Sequence, residues 1–389
     1  MAAAPSALAP PPGNPRFPLL DSMRALAALS IVVFHAAAET EFTRVNELGA
    51  YTARLDVGVT LFFLLSGFLL YRPFAAARHE GRPPIRVRDY ARRRVLRIVP
   101  AYWVALTLLA LWPGLQAFWD GAWWRSYAFV QNLWGDSTLQ GIFPAWTLCI
   151  EVSFYVLLPF LAVAIGRVAG ARWRVELALL VALAAAAVAA RALMLGLGGG
   201  PGLRNSLAGY LDWFAYGMIL AVLSIVWRGR EITVRPWIAW AGAAVAFWLV
   251  STQLGLTRGL FVDDGVGAEI GEHLLYALVA ALLLLPAIFG SGGALRRVLA
   301  SRTLAWLGLV SYGVFLYHGP LVHWLDDQGA EDWLPGSGLV SLTVFAAAAA
   351  VACAAASYYL VERPVLRFKD PRGSSSASRS SAARASAGA

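Results

Sequence analysis

The chain has 389 residues, 59% of them apolar and 14% charged, with a mean hydropathy of +0.61 and a net charge of +9. A soluble domain of that length needs more charge to cover its surface, and a fibrous or disordered chain does not carry so much apolar sequence in long runs. Nucleic-acid binding is a poor reading of the positive charge, because the basic residues form no patch and sit in short segments that flank alternate apolar runs.

A hydrocarbon core about 30 Å thick takes roughly 20 apolar residues per helix. Dividing the chain at charge and Gly/Pro clusters predicts an all-α integral membrane protein, a bundle of about ten transmembrane helices. Residues 1–15, MAAAPSALAPPPGNP, form an Ala/Pro-rich extension without the charged and apolar regions of a signal peptide. The helices follow near Phe17–Ala38, Val57–Phe74, Arg97–Trp112, Pro144–Ile165, Val175–Leu195, Leu207–Trp227, Pro236–Gln253, Glu272–Phe289, Thr303–Trp324 and Gly338–Leu360. The transmembrane domain thus occupies 16–368, and a Ser/Ala/Arg-rich tail, 369–389, is expected to be disordered.

The loop Phe74–Leu96 is Arg-rich, and so are the turns Arg167–Arg174, Arg228–Arg235 and Arg296–Arg302. The opposite loops carry acid: Glu39, Glu41 and Glu47; Asp263, Asp264 and Glu269; Asp326, Asp327, Glu331 and Asp332. Both termini are therefore expected in the cytoplasm, with the protein in the plasma membrane. The loop Pro113–Phe143 holds Trp119, Trp123, Trp124, Tyr127 and Trp134, which read as an aromatic belt at the outer headgroups or as a lid over an acceptor. Cys149 and Cys353 lie inside predicted helices and read as small core residues, with no disulfide framework.

Ionisable groups inside a bilayer are costly and mark functional candidates. The first helix holds Arg24 and His35, eleven residues apart, which at 100° per residue brings them to within about 20° of one face. A snorkelling Arg and a packed His is the plainer account of that pair. The second helix contributes Gly58, Ser66 and Gly67; Gly58 suits close helix packing, and Ser66–Gly67 can open space for a thin substrate. Arg94 and Arg97 stand three apart at the start of the third helix, a spacing that suits phosphate as well as it suits topology. In the fourth helix, Glu151 lies about two turns in, with Trp146 and Tyr155 near it and Arg24 or His35 as its partner. The ninth helix places Ser311 and His318 on one face, while His323 reads as interfacial. Glu362 and Arg363 end the last helix and read as a local ion pair. The membrane His and Glu show no ligand spacing, so no metal site is expected.

These segments, in this order, resemble the acyltransferase 3 family of membrane O-acyltransferases. The resemblance rests on LLDSMRALAALSIVVFH with its R-x10-H spacing, DVGVTLFFLLSGFL, RRRVLRIVPAYW with its R-x-x-R, AWTLCIEVSFY, LGLVSYGVFLYH and YYLVERP, and covers roughly Phe17–Pro364. Any one of these is weak; six in order are specific. The resemblance implies transfer of an acyl group, acetyl above all, from acyl-CoA to a hydroxyl of a cell-surface glycan or of a natural product such as a macrolide. Some members carry a C-terminal hydrolase-like domain, and the sequence is expected to be of the kind without it.

Acyl transfer needs a base for the hydroxyl proton and a place for oxyanion charge. His35 is the candidate base, with a neutral-range imidazole. Glu151 can orient it, Arg24 can hold a carbonyl or a phosphate, and Arg94, Arg97 and Ser66 suit the donor. His318, Ser311, Tyr155 and Trp146 are candidates for binding substrate. The partners expected are acyl-CoA as co-substrate with no bound cofactor, a hydroxylated acceptor, and the lipid bilayer. A proton-coupled exporter is the rival class, although neither internal repeats nor paired broken helices support it.

Overall fold

The computed structural model describes residues 17–115, 118–119, 121–135, 137–228, 235–258, 264–290 and 294–369. The Ala/Pro-rich extension, the tail beyond Lys369, and Asp263 lie outside the described residues. Ten helices carry the fold: α1 Pro18–Glu39, α2 Val57–His79, α3 Val87–Leu111, α4 Trp146–Ala169, α5 Trp173–Gly196, α6 Leu211–Val226, α7 Pro236–Thr252, α8 Val266–Phe289, α9 Arg302–Asp327 and α10 Gly338–Ser357. Eight are long and apolar enough to cross a membrane, while α6 and α7 are apolar but shorter. Among the described residues there is no strand.

Three helix ends differ most from the sequence-based expectation. α2 runs on to His79, α3 begins at Val87 rather than Arg97, and α8 begins at Val266 rather than Glu272. The added turns carry charge (Arg78 on α2; Arg88, Asp89 and Arg92 to Arg94 on α3; Glu269 on α8), so dividing the chain at charged residues stops short of them. Arginine is nevertheless a good helix former, and VRDYARRR continues α3 without a break. Arg94 and Arg97 therefore lie well inside α3, not at its start.

Small residues set the helix spacing. A Cβ on Gly67 would come within 2.1 Å of the Phe214 carbonyl oxygen, and one on Gly217 within 2.0 Å of the Leu64 oxygen, so α2 and α6 touch backbone to backbone. Gly67 thus serves packing and opens no space for a substrate. Gly58 plays the expected role against α1, where a Cβ would meet the Ala27 oxygen at 2.6 Å. Around the α2–α6 contact, Phe214 stacks between Phe63 and Phe154 at ring separations of 4.7 and 4.1 Å, and this aromatic layer joins α2, α4 and α6.

α1 and α9 run parallel. Gly308 lies against the Asp21 backbone, Arg24 Nε donates to Ser311 Oγ at 3.4 Å, and the His35 and His318 rings lie 5.2 Å apart. At the arginine-rich end, the fully buried Glu176 accepts from Tyr71 at 2.6 Å and pairs with Arg78 and with His79, the latter at 2.5 Å. The Pro113–Phe143 segment forms a short helix, Trp123–Tyr127, and two 3-10 turns. Its Trp119, Trp123, Trp124 and Trp134 are exposed, and the segment is tied to α3 by Tyr102 and Trp103, which donate to the Ser126 and Tyr127 carbonyls at 3.1 and 3.0 Å.

Candidate active site

Among the described residues, two neighbouring cavities bear on the site. The smaller, about 90 Å³, lies toward the arginine-rich end, and the larger, about 300 Å³, toward the acidic end. Val59, Thr147 and Phe315 line both, so one thin layer of side chains separates them.

The smaller cavity gathers Arg24 from α1, Ser66 from α2, Arg94 and Arg97 from α3, Glu151 and Tyr155 from α4, and Ser311 from α9. Glu151 accepts a short hydrogen bond from Ser66 Oγ. Ser311 Oγ, which takes the Arg24 Nε–H, donates to the Gly308 carbonyl at 2.9 Å. Arg97 faces Glu362 of α10 at 3.5 Å. That contact corrects the expected Glu362–Arg363 pair, because Arg363 instead stands over the Tyr359 ring at 5.9 Å. The last turn of α10 is a π-turn, Tyr358–Glu362, and ends on Glu362. Arg94 Nε is buried without a partner among the described residues. Three guanidiniums against one carboxylate in the lining leave the wall net positive, which favours an anion over a cation there.

His35 lies in the wall of the larger cavity, as does Trp146. Its ring sits between Phe143 at 4.8 Å and His318 at 5.2 Å. His318 lines neither cavity and is almost fully buried. Its Nδ1 lies 2.8 Å from the Phe315 carbonyl and 3.1 Å from that of Val314. Carbonyls only accept, so Nδ1 carries the hydrogen and the partnerless Nε2 keeps a lone pair. The pairing of Glu151 with His35 does not form: Ser66 holds the carboxylate in one cavity and His35 belongs to the other. The eleven-residue spacing of Arg24 and His35 amounts to about 16 Å of rise, which sets one residue in each chamber.

Residues 17–359 match the model of the acyltransferase 3 family, described as an acyltransferase domain. The chain belongs to the acyltransferase 3 family. It is 24% identical over 375 residues to a putative peptidoglycan O-acetyltransferase of Bacillus subtilis, YrhL, covering 90% of this chain and 54% of the relative. It is 23% identical to the peptidoglycan O-acetyltransferase OatA of Listeria monocytogenes, over 78% of this chain and 49% of that protein. The acyltransferase MdmB of Streptomyces mycarofaciens is 23% identical, with 92% and 94% covered. The chain thus spans about half the length of the two peptidoglycan O-acetyltransferases and nearly all of MdmB. No solved structure matches it.

Five of the six segments read from the sequence line the two cavities, and the sixth, YYLVERP, supplies Glu362 to Arg97, but sequence reasoning missed most of the larger cavity. Arg54 pairs with Glu272 at 2.8 Å and donates to the Thr257 carbonyl at 2.7 Å. Tyr276 donates to Asp56 at 2.5 Å. His273 Nε2 lies 2.9 Å from both oxygens of the fully buried Asp212. The signal was present, because Asp212, His273 and Arg191 are ionisable residues in apolar helices and meet the criterion that singled out His35 and Glu151.

Proposed function

We propose that the chain is an acyl-CoA-dependent O-acyltransferase of the plasma membrane, with both termini and the smaller cavity facing the cytoplasm. It moves an acyl group, acetyl above all, to a hydroxyl of a glycan or natural product held in the larger cavity. The observation that carries this reading is the common wall of Val59, Thr147 and Phe315, with Arg24, Arg94 and Arg97 on one side and His35 on the other. Family membership and the O-acetyltransferase names of two relatives support the reaction class.

Arg94 and Arg97 take the nucleotide phosphates at the cytoplasmic mouth, and the pantetheine arm extends past Ser66 toward the shared wall. The acceptor enters from the other side. His35 removes the hydroxyl proton as the oxygen attacks the thioester carbonyl carbon. Arg24, hydrogen-bonded to Ser311 and about 16 Å of helix rise from His35, holds a carbonyl or phosphate of the donor arm rather than the reacting carbonyl. When the C–S bond breaks, the thiolate leaves and takes the proton back from the imidazolium. The products are an ester and free CoA.

The test uses the full chain in vesicles with labelled acetyl-CoA, following release of the CoA thiol, together with mass spectrometry of surface glycans and metabolites with and without the gene. Label in an acceptor and a gene-dependent acyl mass increment are expected. A gene-dependent change in export of an unmodified compound, with no CoA released, overturns the reading in favour of a transporter.

A further inference from the structure

The larger cavity holds a second histidine that the reaction outlined above does not use. His273 is 2% exposed and lines the cavity wall. Its Nε2 faces both oxygens of Asp212 at 2.9 Å, and Trp213 stacks on its ring at 4.3 Å with the planes 16° apart. Asp212 as a carboxylate only accepts, so Nε2 carries the hydrogen and Nδ1 presents a lone pair. That Nδ1 is buried without a partner among the described residues. Leaving such an acceptor unsatisfied is costly. A donor is missing, and the cavity is where it would come from.

An unmet donor stands nearby. The Arg191 guanidinium lies over the Tyr210 ring at 4.8 Å, and the same ring lies 5.7 Å from His273. Arg191 also lines the cavity; its Nη1 donates to the Gly209 carbonyl at 3.4 Å, while its Nε is buried without a partner among the described residues. One wall therefore offers an acceptor and a donor that both neighbour the Tyr210 ring. A hydroxyl donates and accepts, so polyol hydroxyls satisfy both groups at once.

We propose that His273, oriented by Asp212, and Arg191 form a subsite for acceptor hydroxyls other than the one acylated, so that the enzyme takes polyols and rejects simple alcohols. This rests on the acyltransferase reading and adds to it a determinant of acceptor choice. His273 and Arg191 are specificity residues; Asp212 is a positioning residue that sets the His273 tautomer. A site built to hydrogen-bond a hydroxyl discriminates strongly against an analogue lacking it, because its own polar groups are then left unpaired.

The probes are methyl glycosides of glucose, galactose and N-acetylglucosamine, compared with cyclohexanol, a six-membered ring with one hydroxyl. Acetyl-CoA is the donor and the full-length protein in vesicles the enzyme. In the wild type, kcat/KM for at least one glycoside should exceed that for cyclohexanol by about tenfold or more. His273→Phe keeps the stack on Trp213 and removes the lone pair, and should lower that ratio about tenfold, mainly through the acceptor KM. Asp212→Asn should do the same although it is isosteric, since the amide N–H forces the imidazole hydrogen onto Nδ1. His273→Gln, which keeps an acceptor oxygen, should recover part of the loss. The KM for acetyl-CoA should not move in any of them. Equal losses on glycoside and cyclohexanol, or an unchanged ratio in Asp212→Asn, overturn the subsite. Absence of glycoside acylation by the wild type also overturns it, and a persisting gene-dependent acyl mass increment in cells would then leave the acyltransferase reading standing.

Discussion

A histidine whose tautomer is settled by its neighbours is a different reagent from one that rotates freely. His318 is settled by two backbone carbonyls, and beside it His35 alone of the pair reaches a cavity. If His35 takes the hydroxyl proton, His35→Gln keeps a hydrogen-bonding side chain and loses only proton uptake. Turnover should fall by a factor of about 10² to 10⁴ with insertion into the membrane unchanged, measured as acyl transfer by matched amounts of protein. Near-normal turnover would leave His35 as a packing residue. Glu151→Gln still accepts from Ser66 and loses only its charge near Arg24, so its loss should be smaller than that of His35→Gln. His35, Glu151 and Arg24 were legible in the sequence because charge in an apolar helix has few innocent explanations. Their division between two chambers was not. It depends on where Val59, Thr147 and Phe315 close the space, and those residues look like any others in a membrane helix.

At the scale of the helix, the α2–α6 contact makes the sharpest claim. Gly217→Leu must push two backbones apart, because its Cβ alone would sit 2.0 Å from the Leu64 oxygen. Overpacking of this kind costs about 1–3 kcal/mol and should lower the thermal unfolding midpoint in detergent. Gly196→Ala, at the end of α5 with nothing within 4 Å, is the matched control and should not lower it. The α3 arginines make a functional claim. Arg94→Ala and Arg97→Ala should raise the KM for acyl-CoA and leave the acceptor KM in place, whereas unchanged kinetics would reduce the pair to topology signals. The two need not be equal: Arg97 is engaged by Glu362, and Arg94 has a guanidinium nitrogen without a partner among the described residues. The sequence supplied both residues and their spacing. It did not pair Arg97 with Glu362, because an ion pair between α3 and the turn at the end of α10 has no local signature.

For the whole molecule, the open question is how many helices cross. The ten helices found are the ten expected, but α6 and α7 have 16 and 17 residues, about 24 and 25 Å of rise against a hydrocarbon core of about 30 Å. If neither crossed, the termini would still share one side, so fusions at the two ends cannot distinguish ten crossings from eight. The segment between α6 and α7 can. With ten crossings Arg228 lies at the arginine-rich end, and with eight it lies with the acidic loops. Packing favours ten: Arg228 pairs with Glu80, just past α2, at 2.9 Å, and Arg72 on α2 donates to Ser224 on α6 at 3.1 Å. Charge agrees once the pairs are counted, since Arg54 and Arg204 at the acidic end are matched by Glu272 and Glu269. In a background with Cys149 and Cys353 replaced by alanine, Arg228→Cys should resist a membrane-impermeant maleimide in intact cells and react after permeabilisation. A cysteine placed at Glu331, in the α9–α10 connection, should react without permeabilisation. Labelling of position 228 in intact cells would remove α6 and α7 from the membrane, and with them the account of how His273, held by Asp212 of α6, comes to share a cavity with His35.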